Sequence, residues 1–248
     1  MDCIMDLAKF DEKHVRVTDR SGSTYTGVAD FFPSDYVLHE YGVEEDSILV
    51  DGYLVYRSSI ASIDEIEVHG TAELRTERLI LRRFRPEDYE APYRYIGSDP
   101  LMHRYSGWNP YATPEMAQES VRRFIESYSS EHFYSWVIDV DSVLFGTIGA
   151  YDYENGRIEV GFSILQACWG RGYATEALKK VLEYLTENED IPCVTAWCAS
   201  ENTASRRVLE KAGMKLAGTE TSALTVGSRI YDKLIFEYTK NPEHNLYT

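Results

Sequence analysis

The sequence predicts two parts of different fold class: a small all-β unit over residues 1–70, and an α/β domain over residues 71–248 with a mixed sheet flanked by helices. Short strand-like runs separated by turn residues predominate in the first part, whereas strands alternate with helices in the second. Charge divides at the same place. Residues 1–70 carry 15 acidic and 5 basic side chains (net −10), and the remainder carries 26 and 20 (net −6).

The composition excludes several classes of protein. The chain of 248 residues is 44% hydrophobic and 27% charged, as is usual for globular proteins, and its net charge is −16. That charge argues against a broad nucleic-acid surface and favours a basic, amine-bearing substrate. No apolar run is long enough to cross a bilayer, the N-terminus does not look like a signal peptide, and four cysteines are too few for a disulfide scaffold. We therefore expect a cytoplasmic protein with free thiols, no membrane contact and no nucleic-acid partner.

The first part is predicted to open with a helix over Asp2–Lys13 and to continue as short strands that close into a small barrel. Asp51-Gly52, between two apolar runs, is a strong hairpin signal. The strand spacing, and the Gly22 turn followed by Tyr25-Thr26-Gly27, resemble an Sm-like barrel. Of the positions that serve RNA in that family, the expected Asn is missing and only Arg57 is kept. Since the part also has a net charge of −10, we expect an accessory or interface barrel. The predicted strands are His14–Thr18, Ser23–Phe32, Tyr36–Glu40, Ser47–Val50 and Tyr53–Ile60.

The second part is predicted to alternate strands and helices in the order βααβββαβαββ. Pro86 stands where a first helix can begin, and a second helix opens near Pro114. Gly213 is placed to end the last helix. The other predicted elements are strands at Arg78–Phe84, Phe133–Asp139, Ser142–Tyr153, Arg157–Leu165, Val194–Cys198, Lys215–Thr221 and Arg229–Tyr238, and helices at Tyr173–Glu187 and Thr203–Ala212.

A glycine-bearing turn joins the strand at Arg157–Leu165 to the helix at Tyr173–Glu187. Gly170 and Gly172 let the backbone come close to a ligand, and the free N–H groups at the helix start make an anion site, for which a pyrophosphate is the natural occupant. The turn has neither a Walker sequence nor the full Rossmann glycine spacing. Taken alone, it is equally compatible with an ordinary strand-to-helix connection.

Four motifs in order resemble the GNAT acetyltransferase superfamily, in the branch of the ribosomal-protein alanine and serine N-terminal acetyltransferases. The resemblance covers residues 73–240 and implies a mixed, mostly antiparallel sheet flanked by helices, with acetyl-coenzyme A as the donor. The motifs are Thr76-Glu-Arg-Leu-Ile-Leu-Arg82, Glu159-Val-Gly-Phe162, Trp169-Gly-Arg-Gly-Tyr-Ala-Thr-Glu-Ala177 and Asn202-Thr-Ala-Ser205 followed by Arg-Arg-Val-Leu-Glu-Lys-Ala-Gly-Met214.

The resemblance implies a set of residues that bind the donor. The pyrophosphate would lie on the N–H groups of the glycine turn, and the pantetheine arm would pair with a strand edge where neighbouring strands separate. Arg171 either contacts phosphate or is an exposed structural residue, and Asn202 either contacts the donor, caps its helix, or does both. The implied residues are Phe162, Ser163, Ile164, Trp169, Gly170, Arg171, Gly172, Tyr173, Ala174, Thr175 and Asn202.

Two residues are candidates for catalysis. Glu159 lies on the strand that would border the thioester and either removes a proton from the acceptor amine or is a solvent-facing or ion-paired strand residue. Ser205 would face the leaving thiolate. The tyrosine that protonates this thiolate in other branches falls at Leu209, so the thiolate leaves unaided or uses Ser205 or water. The stretch Met102–Tyr111 would wall the acceptor site, with His103 a minor candidate, and no metal-binding motif is present.

The sequence therefore predicts an N-acetyltransferase that acts on a primary amine, such as the N-terminal α-amine of a ribosomal protein. Two alternatives remain open at this stage. One is an acetyltransferase for a polyamine or an aminoglycoside. The other is a catalytically idle sensor that binds acyl-coenzyme A and recruits a partner through the acidic barrel. The sequence does not decide whether the chain forms a homo-oligomer.

Overall fold

The computed structural model describes residues 5–50, 52–66, 69–97, 99–105, 111–140 and 143–239. The chain divides into two compact units, residues 1–68 and 69–248. The first unit contains two three-stranded antiparallel sheets, in the orders β2-β1-β6 and β3-β4-β5. Its elements are β1 (His14–Asp19), β2 (Thr24–Val28), β3 (Asp30–Phe32), helix α1 (Ser34–Tyr41), β4 (Ser47–Val50), β5 (Tyr53–Tyr56), β6 (Ile60–Glu65) and 3₁₀ turns at Ala8–Phe10 and Arg57–Ser59.

An apolar core lies in the first unit. Consecutive strands β2 and β3 belong to different sheets. Between them, the N–H of Ala29 still bonds to the carbonyl of Lys13, the next position of the β1–β2 register, and β3 then pairs with β4. The predicted strand Ser23–Phe32 is thus two strands. The resemblance to an Sm-like barrel stays a prediction. The buried members of the core are Leu7, Phe10, Val15, Val17, Ala29, Ile48, Val50, Val55 and Ile60.

The predicted strand at Tyr36–Glu40 is wrong, because these residues lie in helix α1. Pro33 is extended immediately before the helix, and Gly42 ends it in the left-handed conformation (φ 74°), with its N–H donated to the carbonyl of Leu38. Only Val37 of the helix is buried, so the apolar residues that suggested a strand are largely exposed. Start and stop signals therefore outweigh the alternation of apolar side chains.

The predicted opening helix Asp2–Lys13 is also wrong over the residues that the structure describes. Residues 1–4 lie outside them, and from Met5 to Lys13 the chain forms only the 3₁₀ turn. Asp6 accepts a hydrogen bond from the N–H of Ala8, and Glu12 takes a left-handed conformation (φ 58°) and donates its N–H to Ala29. These local bonds compete with a regular helix.

The second unit is built on an eight-stranded sheet in the order β13-β14-β12-β11-β10-β9-β8-β7. Only the pair β11–β12 is parallel among its described ladders, which confirms a mixed, mostly antiparallel sheet flanked by helices. Its elements are β7 (Leu74–Arg75), β8 (Ile80–Arg82), a 3₁₀ turn (Pro86–Tyr89), a π-helical segment (Pro92–Gly97), α2 (Pro100–His103), α3 (Pro114–Ser127), β9 (Tyr134–Val140), β10 (Val143–Glu154), β11 (Arg157–Ile164), a 3₁₀ turn (Gln166–Cys168), α4 (Tyr173–Glu187), β12 (Cys193–Ala199), α5 (Thr203–Lys211), β13 (Lys215–Val226) and β14 (Arg229–Thr239).

Helices α3 and α4 cover opposite faces of this sheet. Val137 of β9 packs in one cluster with Val121 of α3, whereas the neighbouring Trp136 makes an edge contact with the Tyr184 ring of α4. Successive strand residues point to opposite faces, so the two helices lie on either side. The predicted helix Tyr173–Glu187 has the observed bounds, whereas β7 and α2 were not predicted. No helix of the described chain is long and apolar enough to span a membrane.

Candidate active site

Strands β11 and β12 separate after a short parallel ladder. They pair from Arg157 with Cys193 to Glu159 with Thr195, and the hydroxyl of Thr195 donates a hydrogen bond to the carbonyl of Ile158 at 3.1 Å. Beyond this point β11 and β12 both continue but no longer pair with each other. On its other side, β11 stays paired to β10 as far as Ile164. One edge of β11 therefore has backbone groups available to a ligand.

A cavity of about 1110 Å³ lies at this gap, within the second unit. It is bordered by β10, β11 and β12, by the starts of α4 and α5, and by residues from α2 and α3. All the sequence-predicted donor-binding residues except Arg171 line it, and so do Glu159 and Ser205. Arg171 is exposed. The structure thus brings the predicted residues around one space, while the role of each stays a prediction.

The glycine turn presents backbone N–H groups to the cavity. Gly172 is the N-cap of α4 in the left-handed conformation (φ 85°), and Gly170 has φ 76°. The first N–H groups of a helix have no partner within it, so those at the start of α4 can bind an anion. The indole N–H of Trp169 donates to the carbonyl of Ile164 at 2.8 Å, which attaches the turn to the end of β11.

An ion pair that sequence reasoning missed fixes the first turn of α4. The carboxylate of Glu176 accepts hydrogen bonds from the Thr76 hydroxyl (2.6 Å), the Arg78 N–H (3.1 Å) and the Arg78 guanidinium. Arg78 also donates to the carbonyl of Arg171 at 3.1 Å and lies 4.8 Å over the ring of Tyr173.

Burial opposes the charge of Glu176, but the hydrogen bonds from Thr76 and Arg78 outweigh it and lower its pKa. The charge of this acidic residue is thus compensated beside the anion site. The only sequence signal for this ion pair was the motif that contains Thr76 and Arg78, and the sequence did not indicate that Glu176 pairs with it.

The start of α5 forms another part of the cavity wall. The side-chain oxygen of Asn202 accepts a hydrogen bond from the backbone N–H of Ser205 at 3.1 Å and so caps the helix. Both residues line the cavity, so the capping role leaves the second predicted role of Asn202 open. Leu209, where other branches have a tyrosine, is a buried apolar residue of the same helix.

Glu159 lies at the last position of β11 that pairs with β12. One of its carboxylate oxygens accepts a hydrogen bond from the indole N–H of Trp197 at 2.8 Å, and the ammonium of Lys233 stands 4.5 Å over the Trp197 ring. Burial, supported by the charge of Asp152, raises the pKa of Glu159 despite these contacts. A half-buried carboxylate with a raised pKa beside an open cavity is suited to take a proton.

The stretch predicted to wall the acceptor site is described only in part, because residues 106–110 lie outside the described residues. Met102, Arg104, Tyr105 and Tyr111 line the cavity, whereas His103 is buried and is not among the lining residues. No group of His, Cys, Asp and Glu side chains suited to a metal ion is present in the described part of the chain.

Comparison with known proteins shows the family. Residues 78–215 match the acetyltransferase (GNAT) domain model. The N-acetyltransferase YoaA of Bacillus subtilis (strain 168), itself uncharacterized, is 29% identical over 174 residues, which are 68% of this chain and 98% of YoaA. The crystal structure of a GNAT-family acetyltransferase from Bacillus anthracis is 25% identical with a TM-score of 0.60, and the match covers 67% of this chain and 98% of that one.

A further structural neighbour is RimL, a ribosomal L7/L12 α-N-protein acetyltransferase solved in complex with coenzyme A. It is 17% identical with a TM-score of 0.62, and the match covers 66% of this chain and 95% of RimL. At this identity the likeness shows the fold alone. The family match at residues 78–215 lies wholly within the second unit and includes the β11–β12 gap and the glycine turn. The chain therefore belongs to the GNAT family and is an acetyl-coenzyme A-dependent N-acetyltransferase.

Proposed function

We propose that the acceptor is the N-terminal α-amine of a protein, such as a ribosomal protein. The charge of the cavity is the observation that carries this proposal, because its described lining contains only two carboxylates, Glu159 and Glu201. A polyamine or an aminoglycoside carries several ammonium groups and would need more acidic partners. A single terminal amine needs one.

The aromatic part of the cavity wall supports the same acceptor. Phe84, Phe124, Phe133, Tyr105 and Tyr111 contribute mainly apolar surface to it. Such a wall suits the small side chain of a first residue, with one polar group to orient the amine. The neighbour RimL, which is named for action on a ribosomal protein, is consistent with this acceptor class.

We place the donor across the β11–β12 gap. The N–H groups at the start of α4 would hold its pyrophosphate, and the free edge of β11 at Phe162, Ser163 and Ile164 would pair with its pantetheine arm. The thioester would then lie near Gly161, between the donor and acceptor ends of the cavity. Backbone N–H groups of β11 would stabilise the negative charge that develops on the acetyl oxygen.

Glu159 would act as the general base. It removes a proton from the acceptor ammonium, and the neutral nitrogen attacks the acetyl carbon to form the C–N bond. The C–S bond then breaks, and the second proton of the nitrogen passes to the departing thiolate, with the Ser205 hydroxyl bonding to the sulfur. Positioning of both substrates in one cavity supplies much of the acceleration.

A panel of acceptors tests the proposal. Thiol release from acetyl-coenzyme A is measured with peptides that begin with Ser or Ala, with the same peptides blocked at the N-terminus, and with spermidine and kanamycin. We expect release only with free N-termini, and mass spectrometry should place the acetyl group there. Faster release with spermidine or kanamycin than with every peptide would overturn the proposed acceptor.

A further inference from the structure

The side chain of Tyr151 reaches over the backbone at the proposed thioester site. Tyr151 of β10 is the register partner of Glu159 on β11, so the two side chains share a face of the sheet. The Tyr151 hydroxyl lies so close to Gly161 that a Cβ at that position would stand 2.4 Å from its oxygen. The absence of a side chain at Gly161 is thus what makes room for this hydroxyl.

The hydroxyl of Tyr151 makes no hydrogen bond to another residue that the structure describes, and the side chain lines the cavity. Burial, followed by the charges of Glu159 and Asp152, raises the pKa of Tyr151 to about 12. The phenol therefore keeps its proton throughout the neutral range. It can donate a hydrogen bond but does not act as a base.

The charged and indole side chains near Tyr151 are unsuited to the same task. The ionised Glu159 only accepts hydrogen bonds, and the indole N–H of Trp197 is already donated to Glu159. The ammonium of Lys233 lies over the Trp197 ring, and Asp152 is an acceptor. Thr147 and Ser163 lie further along the same face, and Tyr151 is the residue whose hydroxyl lies against Gly161.

We propose that the Tyr151 hydroxyl donates a hydrogen bond to the acetyl carbonyl oxygen and is a catalytic residue of the transfer. The inference rests on the proposed position of the thioester. When the amine attacks, the carbonyl electron pair moves to the oxygen, and Tyr151 stabilises that charge without giving up its proton. The pair returns to the carbon as the C–S bond breaks, so the phenol is unchanged at the end.

Tyr151→Phe is the first test, because it removes the hydroxyl and keeps the ring. We expect kcat to fall by roughly 10²–10³-fold, the effect of losing one oxyanion donor, with unchanged coenzyme A affinity by calorimetry. Tyr153→Phe is the matched control, since Tyr153 is on the same strand but stacks on His132 and is absent from the cavity wall. Equal turnover in the two variants would overturn the inference.

A double-mutant cycle with Gly161→Ala tests the geometry. The added methyl group must displace the Tyr151 hydroxyl, so Gly161→Ala alone should lower kcat by a similar factor. In the Tyr151→Phe background the same change should lower kcat by less than about threefold, because the hydroxyl is already gone. Losses that multiply would refute the inference.

The donor position is tested separately by the coenzyme A affinity of Gly172→Val, which removes binding if the pyrophosphate lies at the start of α4. Normal affinity in that variant would refute the proposed donor site and, with it, the placement on which the role of Tyr151 rests. Lost affinity in Gly172→Val together with full turnover in Tyr151→Phe would refute only the role of Tyr151.

Discussion

Glu189 connects the first residues of the second unit to the end of α4 through hydrogen bonds. Its carboxylate is only 9% exposed and accepts hydrogen bonds from the N–H of Gly70 (2.9 Å), the Tyr134 hydroxyl (2.9 Å) and the Tyr184 hydroxyl (2.7 Å). Burial, followed by the bond to this carboxylate, raises the pKa of both tyrosines, so each remains a donor. Trp136 adds a bond from its indole N–H to the carbonyl of Ala72.

Glu189→Gln should destabilise the second unit by roughly 3 kcal/mol. A hydrogen bond to a charged group contributes about 1.5–3 kcal/mol and a neutral one about 0.5–1.5 kcal/mol, so each of the three bonds loses about 1 kcal/mol. The amide keeps the shape of the carboxylate, and its NH₂ can donate to a tyrosine oxygen, so no larger loss is expected. Glu189→Ala removes the carboxylate acceptor of all three bonds and should cost more, although the Tyr184 hydroxyl keeps the carbonyl of Gly70 as an acceptor at 2.8 Å.

The measurement is urea unfolding followed by tryptophan fluorescence, which reports on the second unit because all four tryptophans lie there. Glu183→Gln on α4 is the matched control, since its exposed pair with Lys180 contributes at most about 1 kcal/mol. If the midpoint of Glu189→Gln equals that of Glu183→Gln, the three bonds do not stabilise the unit as argued.

Three further predictions concern the site and the division of the chain. Gly172→Val should lower coenzyme A affinity by roughly tenfold or more in calorimetry, because a β-branched residue at φ 85° distorts the N–H groups of the loop. Gly170 has a similar φ, but the space around an added Cβ is open, so the Gly170→Ala variant should bind coenzyme A more tightly than the Gly172→Val variant. Glu159→Gln should lower kcat by roughly 10²–10⁴-fold with unchanged coenzyme A affinity, and the loss should shrink as pH rises. Because the folded-state pKa of Glu159 is raised, its ionisation opposes folding, so the same variant should unfold at a higher urea concentration than the wild type at neutral pH and at an equal one in acid. A fragment of residues 69–248 should fold and bind coenzyme A with the affinity of the full chain, and a fold without affinity would show that the first unit completes the site.

The residues proposed to bind the donor could be grouped from the sequence because they are close in the chain. Trp169 to Thr175 form one turn and the start of one helix, and Asn202 to Ser205 form the start of another. Glycines and caps act locally, so their spacing is readable without a sheet register. The same reasoning predicted the observed bounds of α4.

The sequence did not reveal interactions between residues that the fold brings together. Arg78 and Glu176 are 98 positions apart in the sequence and meet only because the turn between β7 and β8 lies against the start of α4. The strand predicted within the residues of helix α1 is wrong for another reason. Its Tyr36, Leu38 and Tyr41 are all at least 44% exposed, so its apolar residues do not mark a buried face as the strand prediction assumed.

Tyr151 shows which information the sequence lacked about the catalytic side of the site. Glu159 follows it eight positions later in the chain, and the hairpin between β10 and β11 contains a register shift between Tyr151 and Glu154. A shift of one residue in that hairpin would turn the phenol to the opposite face of the sheet. Composition and motifs do not specify this register, whereas the bulge and the close approach to Gly161 do. Gly161 of the Glu159–Phe162 motif thus contacts Tyr151 on the neighbouring strand, and these two residues should be tested as a pair.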